Sequence, residues 1–258
     1  MKKIWISLLS KNEEKAKKMM ASLGQYGLAP AGHFWSNNLE KMEWSSARQP
    51  LLDPEVAAWL IVANEADFAD PDTRFGLSLL SITVQAARGH GFPTIIAFDG
   101  KPPAPDTLPT PLRHAQFAPD SAALGAKVVA RVNVPFKPQA AEYRLDVYGV
   151  PGLGLWLEAG PAAGHNWNGV MFGVSPGDIN AHGVAAAGKP PTEKMILNYP
   201  MQGLKLQLGE REYTAWAVKN PLDEKTSYYL RALGRPESFV FGEFSEADSA
   251  EVFVLKMT

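Results

Sequence analysis

Two short polar stretches hold the residues best suited to chemistry. Ser7, Ser10, Lys11 and Asn12 close one apolar run near the start of the chain, and Asn64, Glu65 and Asp67 close another. A lysine, two hydroxyls and the free N–H groups of a following helix are the groups that hold an anion. A carboxylate such as Glu65 suits a ribose hydroxyl pair. Glu65 or Asp67 would also be the carboxylate of an enzyme that breaks N-glycosidic bonds, provided burial raises its pKa. A plainer reading stays open. Ser10 with Glu13 fits a capping box, and Asp70 fits a helix cap, while Glu65 and Asp67 fit solvated loop acids.

Other candidates lie in the second half. Gly173-Val-Ser175-Pro-Gly177 has the letters of a serine-hydrolase elbow. The residue after that serine must offer a backbone N–H to an oxyanion, and Pro176 has none, so a turn is expected. Gly149-Val-Pro-Gly152-Leu-Gly154 has the wrong register for a dinucleotide loop. His165 and His182, with Glu158 and Asp178, are ligand types for zinc, iron or manganese, but no close set of three occurs, so no metal is expected. His165-Asn-Trp167-Asn168 lies between glycines, which makes His165 and Trp167 candidates for contact with a sugar or a protein. The alternative for Trp167 is a cap on the core beneath a loop.

These groups must be positioned by elements, and the two halves of the chain follow different rhythms. Ile4–Leu9, Trp59–Ala63, Thr94–Phe98 and Ala115–Ala118 are short, nearly continuous apolar runs, as expected of strands covered on both faces. Helical patterns separate them. Ala16, Met19, Met20 and Leu23 share a face, and a long helix is expected from Asp72 to Arg88. Asp53-Pro54 and Asp70-Pro71 each place a capping oxygen before a proline suited to a first helical turn. Asp120-Ser121 opens a further helix, running to about Arg131. Alternation of this kind predicts a parallel sheet with helical crossovers. The five prolines between residues 101 and 111 then form a stiff loop after the fourth strand.

After residue 140 the period changes to two. Leu204, Leu206 and Leu208 alternate, then Tyr213 to Val218 do, and Phe239–Phe241 and Val252–Leu255 flank a turn expected at Ser245 to Ser249. An antiparallel sandwich or barrel is expected there. The prolines at 135 and 138 place the boundary, giving an α/β domain over 1–136 and an all-β domain over 137–258.

Composition narrows the function classes. The chain of 258 residues has 25 basic and 27 acidic side chains, and neither half is strongly charged, which argues against a general nucleic-acid or acidic-membrane binder. With no cysteine there is no disulfide, thiolate nucleophile or cysteine zinc site. No signal peptide or spanning segment stands out, so a cytoplasmic location is expected.

Ile4-Trp-Ile-Ser7, the polar turn Ser10-Lys-Asn12, the charged helix to Leu23 and then Tyr26-Gly27-Leu28 resemble the opening of a TIR-type domain. Trp59 to Asn64 and Gly91-Phe-Pro-Thr-Ile-Ile96 are similar to that family's third and fourth strands. The likeness covers residues 1 to about 135 and is shared with other flavodoxin-like sheets, including nucleoside deoxyribosyltransferase relatives. It implies a ligand crevice between the loops after strands one and three, where strand order reverses. Enzymatic TIR domains cleave NAD with a glutamate in the helix after the third strand. Here that helix, Thr73 to Arg88, has no carboxylate. The expectation is therefore a recognition protein without catalysis or cofactor, binding a nucleotide-like ligand, a protein partner, or both. The alternatives are an N-glycosidic-bond enzyme acting on NAD or nucleosides, and a structural subunit of a homo-oligomer.

Overall fold

A computed structural model describes residues 1–191, 196–245 and 251–258. The chain divides into two compact units, Met1–Gln139 and Ala140–Thr258.

In the first unit the elements run β1 (Lys2–Leu8), α1 (Glu13–Gln25), β2 (Leu28–Phe34), α2 (Arg48–Leu52), β3 (Val56–Asn64), α3 (Glu65–Ala69), α4 (Pro71–Arg88), β4 (Thr94–Asp99), β5 (Gln116–Pro119) and α5 (Leu124–Asn133). The five strands form one parallel sheet in the order β2-β1-β3-β4-β5, a flavodoxin-like α/β arrangement. Alternation along β1 sends Ile4, Ile6 and Leu8 to one face, where they pack with Met19 and Leu23 of α1 and Val128 and Val132 of α5.

β2 is the strand that the apolar runs do not reveal. Its sequence, Leu-Ala-Pro-Ala-Gly-His-Phe, carries a proline and a glycine and is only half buried. Both residues suit an edge strand. At Gly32 a Cβ would lie 2.4 Å from the Ile6 carbonyl oxygen, so the close pairing with β1 requires glycine.

α4 is apolar and buried along most of its length, from Thr73 through Val84 with Arg74 the one half-exposed residue in that span. It begins, as its sequence predicts, with Asp70 accepting from the Asp72 N–H at 3.0 Å. The 3-10 turn at Glu43–Ala47 and α2 pack along it, and so does the 3-10 turn at Thr110–Leu112. The proline-rich segment is thus a cover. Ser81 Oγ and Gln85 Nε2 donate to the Pro111 carbonyl at 2.7 and 2.9 Å, and Arg74 donates to the Thr107 carbonyl. Gly76 leaves room for the loop after β2, since a Cβ there would meet the Trp35 ring at 2.9 Å.

One helix cap is corrected. Asp53-Pro54 does not open a helix; it follows α2, and the Asp53 carboxylate accepts from the Glu55 N–H in the turn into β3. That turn is held by Arg88, the last residue of α4. Its guanidinium donates to the carbonyls of Leu51, Asp53 and Val56 at 3.0, 2.8 and 2.9 Å and lies over the Phe92 ring.

The second unit is all-β: β6 (Tyr143–Val150), β7 (Gly154–Pro161), β8 (Val170–Ser175), β9 (Asp178–Ala186), β10 (Met201–Leu208), β11 (Arg211–Val218), β12 (Thr226–Leu233), β13 (Ser238–Glu243) and β14 (Phe253–Lys256). These form two antiparallel sheets, β10-β11-β8-β13-β14 and β6-β7-β12-β9. Aromatic rings join them. Tyr143 of β6 meets Phe241 of β13 at 5.0 Å, and His182 of β9 meets Trp216 of β11 at 4.7 Å. The elbow-like motif is the turn from β8 to β9, with Ser175 buried at the end of its strand. All but the first residue of the turn expected at 245–249 lies outside the described residues.

Replacing Arg88 by methionine keeps the stem but leaves several carbonyls without their charged donor. A loss of about 2–3 kcal/mol in unfolding free energy is expected. Urea denaturation of the two proteins checks it, and an unchanged midpoint would contradict this role of Arg88.

Candidate functional site

The carboxyl ends of β1 and β3 lie side by side at the reversal of strand order, where open parallel sheets bind ligands. The structure brings Ser10, Asn64 and Asp67 together there. Ser10 Oγ donates to the Asp67 carboxylate at 2.8 Å and Asn64 Nδ2 approaches Ser10 Oγ at 3.3 Å. The Asp67 carboxylate also accepts from the Asn64 N–H, while Asn64 Oδ1 accepts from the Asp67 N–H, a reciprocal cap on α3. The two loops are therefore stitched across the crevice. Ser10 does not cap α1, contrary to the capping-box reading. That position belongs to Asn12, whose Oδ1 accepts from the Lys15 N–H at 2.9 Å.

Glu65, the first residue of α3, and Lys11 are both exposed. Ser7 lies elsewhere. It is fully buried on the face opposite Ile6 and Leu8, with its Oγ 3.0 Å from Trp59 Nε1 and 2.8 Å from His33 Nε2. An indole N–H only donates, so Ser7 Oγ accepts from Trp59, while the direction of its bond with His33 follows the tautomer of the ring. Burial pushes the His33 pKa down. Ser7 is thus a link between β1, β2 and β3, and its hydroxyl is engaged by Trp59 and His33 rather than by Ser10, Asn64 or Asp67.

An open groove lies one helix away. Between α1 and the start of α5 is a cleft of about 400 Å³, with Met19, Leu23 and Leu124 beneath it and Asn12, Lys18 and Ser121 along its rim. Lys15 on the same rim pairs with Asp120 at 2.5 Å and reaches toward Asp99 at 4.0 Å. α5 starts at Leu124 without a side-chain cap from Ala123, and the Leu124 N–H donates to the Ser121 carbonyl at 3.0 Å. Helix α5 approaches Tyr26 closely here. At Gly125 a Cβ would fall 2.3 Å from the Tyr26 ring.

In the β unit, His165 is exposed, whereas Trp167 is 7% exposed and pairs with Leu222 through two backbone hydrogen bonds. Asn168 is held by Glu243 through both its backbone N–H and its Nδ2. Among the described residues no group of three or more metal-ligand side chains converges. His182 instead meets the Tyr228 hydroxyl at 2.8 Å, and Glu158 lies on a separate face.

Sequence reasoning passes over what surrounds Glu158. This carboxylate is 4% exposed, accepts from the Tyr148 hydroxyl at 2.5 Å and the Gly188 N–H at 2.9 Å, and lies 3.8 Å from Arg144. Burial, and then the neighbouring carboxylate, push the Tyr148 and Tyr229 hydroxyls to stay protonated. The only sequence signal is an acid in a strand of buried residues, Leu157-Glu158-Ala159, and its partners come from strands 10 and 71 positions away.

A scan against protein-family models and a search of curated proteins find no match to this chain.

Four histidines, 33, 90, 114 and 182, have pKa values lowered chiefly by burial. In the unfolded chain they take up protons below the usual value of 6.5, while the folded chain resists. The unfolded state then binds more protons, so stability falls as pH falls below that value. The melting temperature is expected to drop between pH 7.5 and pH 5.5, windows set by about one unit either side of the ordinary histidine value. A rise over that interval would contradict the assignment.

Proposed function

We propose that this chain is a non-catalytic recognition protein whose α/β unit, TIR-like in pattern, binds a nucleotide-like anion at the carboxyl edge of its sheet. The observation that carries the reading is the cleft between α1 and α5. It joins an apolar floor at Met19 and Leu23 to Lys18, which has no ion-pair partner among the described residues, a hydroxyl at Ser121 and a helix start without a side-chain cap. That is the mixture a base or sugar with an attached phosphate calls for. Lys15 is drawn toward Asp120 and Asp99, and Lys18 lines the cleft beside it.

Support for the absence of catalysis comes from the neighbouring crevice. Both Asp67 oxygens face hydrogen-bond donors, and Glu65 stands exposed. The rival, cleavage of NAD or nucleosides, uses the exposed Glu65 or requires the Ser10–Asp67 stitch to open and release Asp67.

Titration calorimetry with ADP and NAD tests the binding. Lys18→Ala is expected to weaken either ligand by about two- to fivefold, the range for an exposed charge pair. Failure of both ligands to bind would remove the nucleotide reading. Incubation with NAD and nucleosides tests the rest: turnover abolished by Glu65→Ala or Asp67→Asn would make the chain an enzyme.

A further inference from the structure

The sheet has a second groove, on the other side of α5. It runs between that helix and the free edge of β5, with a volume of about 440 Å³. Phe117, Ala118, Ala130 and Val134 supply its apolar walls, and Lys127 and Arg131 supply its only charges. On α5 Lys127, Ala130 and Arg131 recur at the spacing of one helical face, and Val134 follows as the first residue beyond the helix. This face is distinct from the one that Leu124, Val128 and Val132 bury in the core.

The charges are uncompensated. No carboxylate lines the groove, and among the described residues neither Lys127 nor Arg131 has an ion-pair partner. Arg131 Nε is buried without a hydrogen-bond acceptor. Val134 is 57% exposed at the mouth. Two cations on an apolar wall with no lining carboxylate are complementary to a carboxylate that carries a hydrocarbon body.

The strand edge argues for a small molecule over a partner's β-strand. The Asp120 N–H donates to the Phe98 carbonyl, so alternation turns the N–H groups of Gln116 and Ala118 toward β4 and those of Phe117 and Pro119 outward. Proline has no N–H. A single outward donor over the four residues of β5 does not sustain a ladder with an added strand.

We propose that this groove is a binding site for an apolar organic carboxylate, with Arg131 and Lys127 holding the carboxylate and Phe117, Ala130 and Val134 holding the hydrocarbon. The site is separate from the α1–α5 cleft and does not depend on it.

Octanoate is a suitable probe, with octylamine as the charge-reversed control, measured by calorimetry and by amide shifts in β5 and α5. Octanoate is expected to bind and octylamine not to. Arg131→Gln should weaken octanoate about tenfold, as loss of a charge-assisted hydrogen bond does. Ala130→Trp places a ring in the groove from an exposed position and should abolish binding without lowering the melting temperature. Equal binding of octylamine, no octanoate binding, or indifference to both substitutions would overturn the proposal. So would an acidic extended peptide that binds where octanoate does not.

Discussion

The α/β unit depends on burying a helix on every side along most of its length. Of the residues in α4 from Thr73 to Val84, only Arg74 keeps appreciable exposure. Such a helix needs cover beyond the sheet. The 3-10 turn at Glu43–Ala47 with α2, and the proline-rich segment ending at Leu112, supply it. The polar residues within the helix are then explained by what covers them. Ser81 and Gln85 meet the Pro111 carbonyl, Thr73 meets Asn37 and Asp70, and Arg88 gathers the carbonyls of the turn into β3. Apolar cover alone would leave those carbonyls unpaired at a cost of about 1–3 kcal/mol each.

This cover also shapes the functional edge. The loop after β2 runs over α4 and is fixed there by Asn37, which donates to Thr73 at 2.7 Å and to Asp70. Together with the Ser10–Asp67–Asn64 stitch, this leaves the reversal point of the sheet occupied by its own side chains. Two grooves lie on the other face, on either side of α5. One groove is rimmed by ion-paired and free lysines, and the other is apolar with two unpaired cations.

Much of this was readable from residues alone, for identifiable reasons. β1, β3 and β4 are apolar on both faces, and that pattern needs no tertiary knowledge. β2 escaped because an edge strand can hold Pro30 and Gly32, and the same residues usually mark a loop. The capping of α1 was misassigned because Ser10 and Asn12 both suit an N-cap, and only the distant Asp67 decides which is free. Ser7 looked like a crevice residue until its position in the strand turned it beneath the surface toward His33. The Glu158 cluster was illegible for a related reason: pairing of β7 with β6 and β12 brings its partners together, and local spacing carries no trace of that.

The central claim is that a ligand enters beside α1 and α5 while the crevice between β1 and β3 remains stitched. A crystal structure of the chain soaked with NAD tests it most directly. The account predicts density between Lys18 and Ser121 with the Ser10–Asp67 hydrogen bond intact. Density between the loops after β1 and β3, with that bond broken and Asp67 or Glu65 facing the ribose, would contradict it.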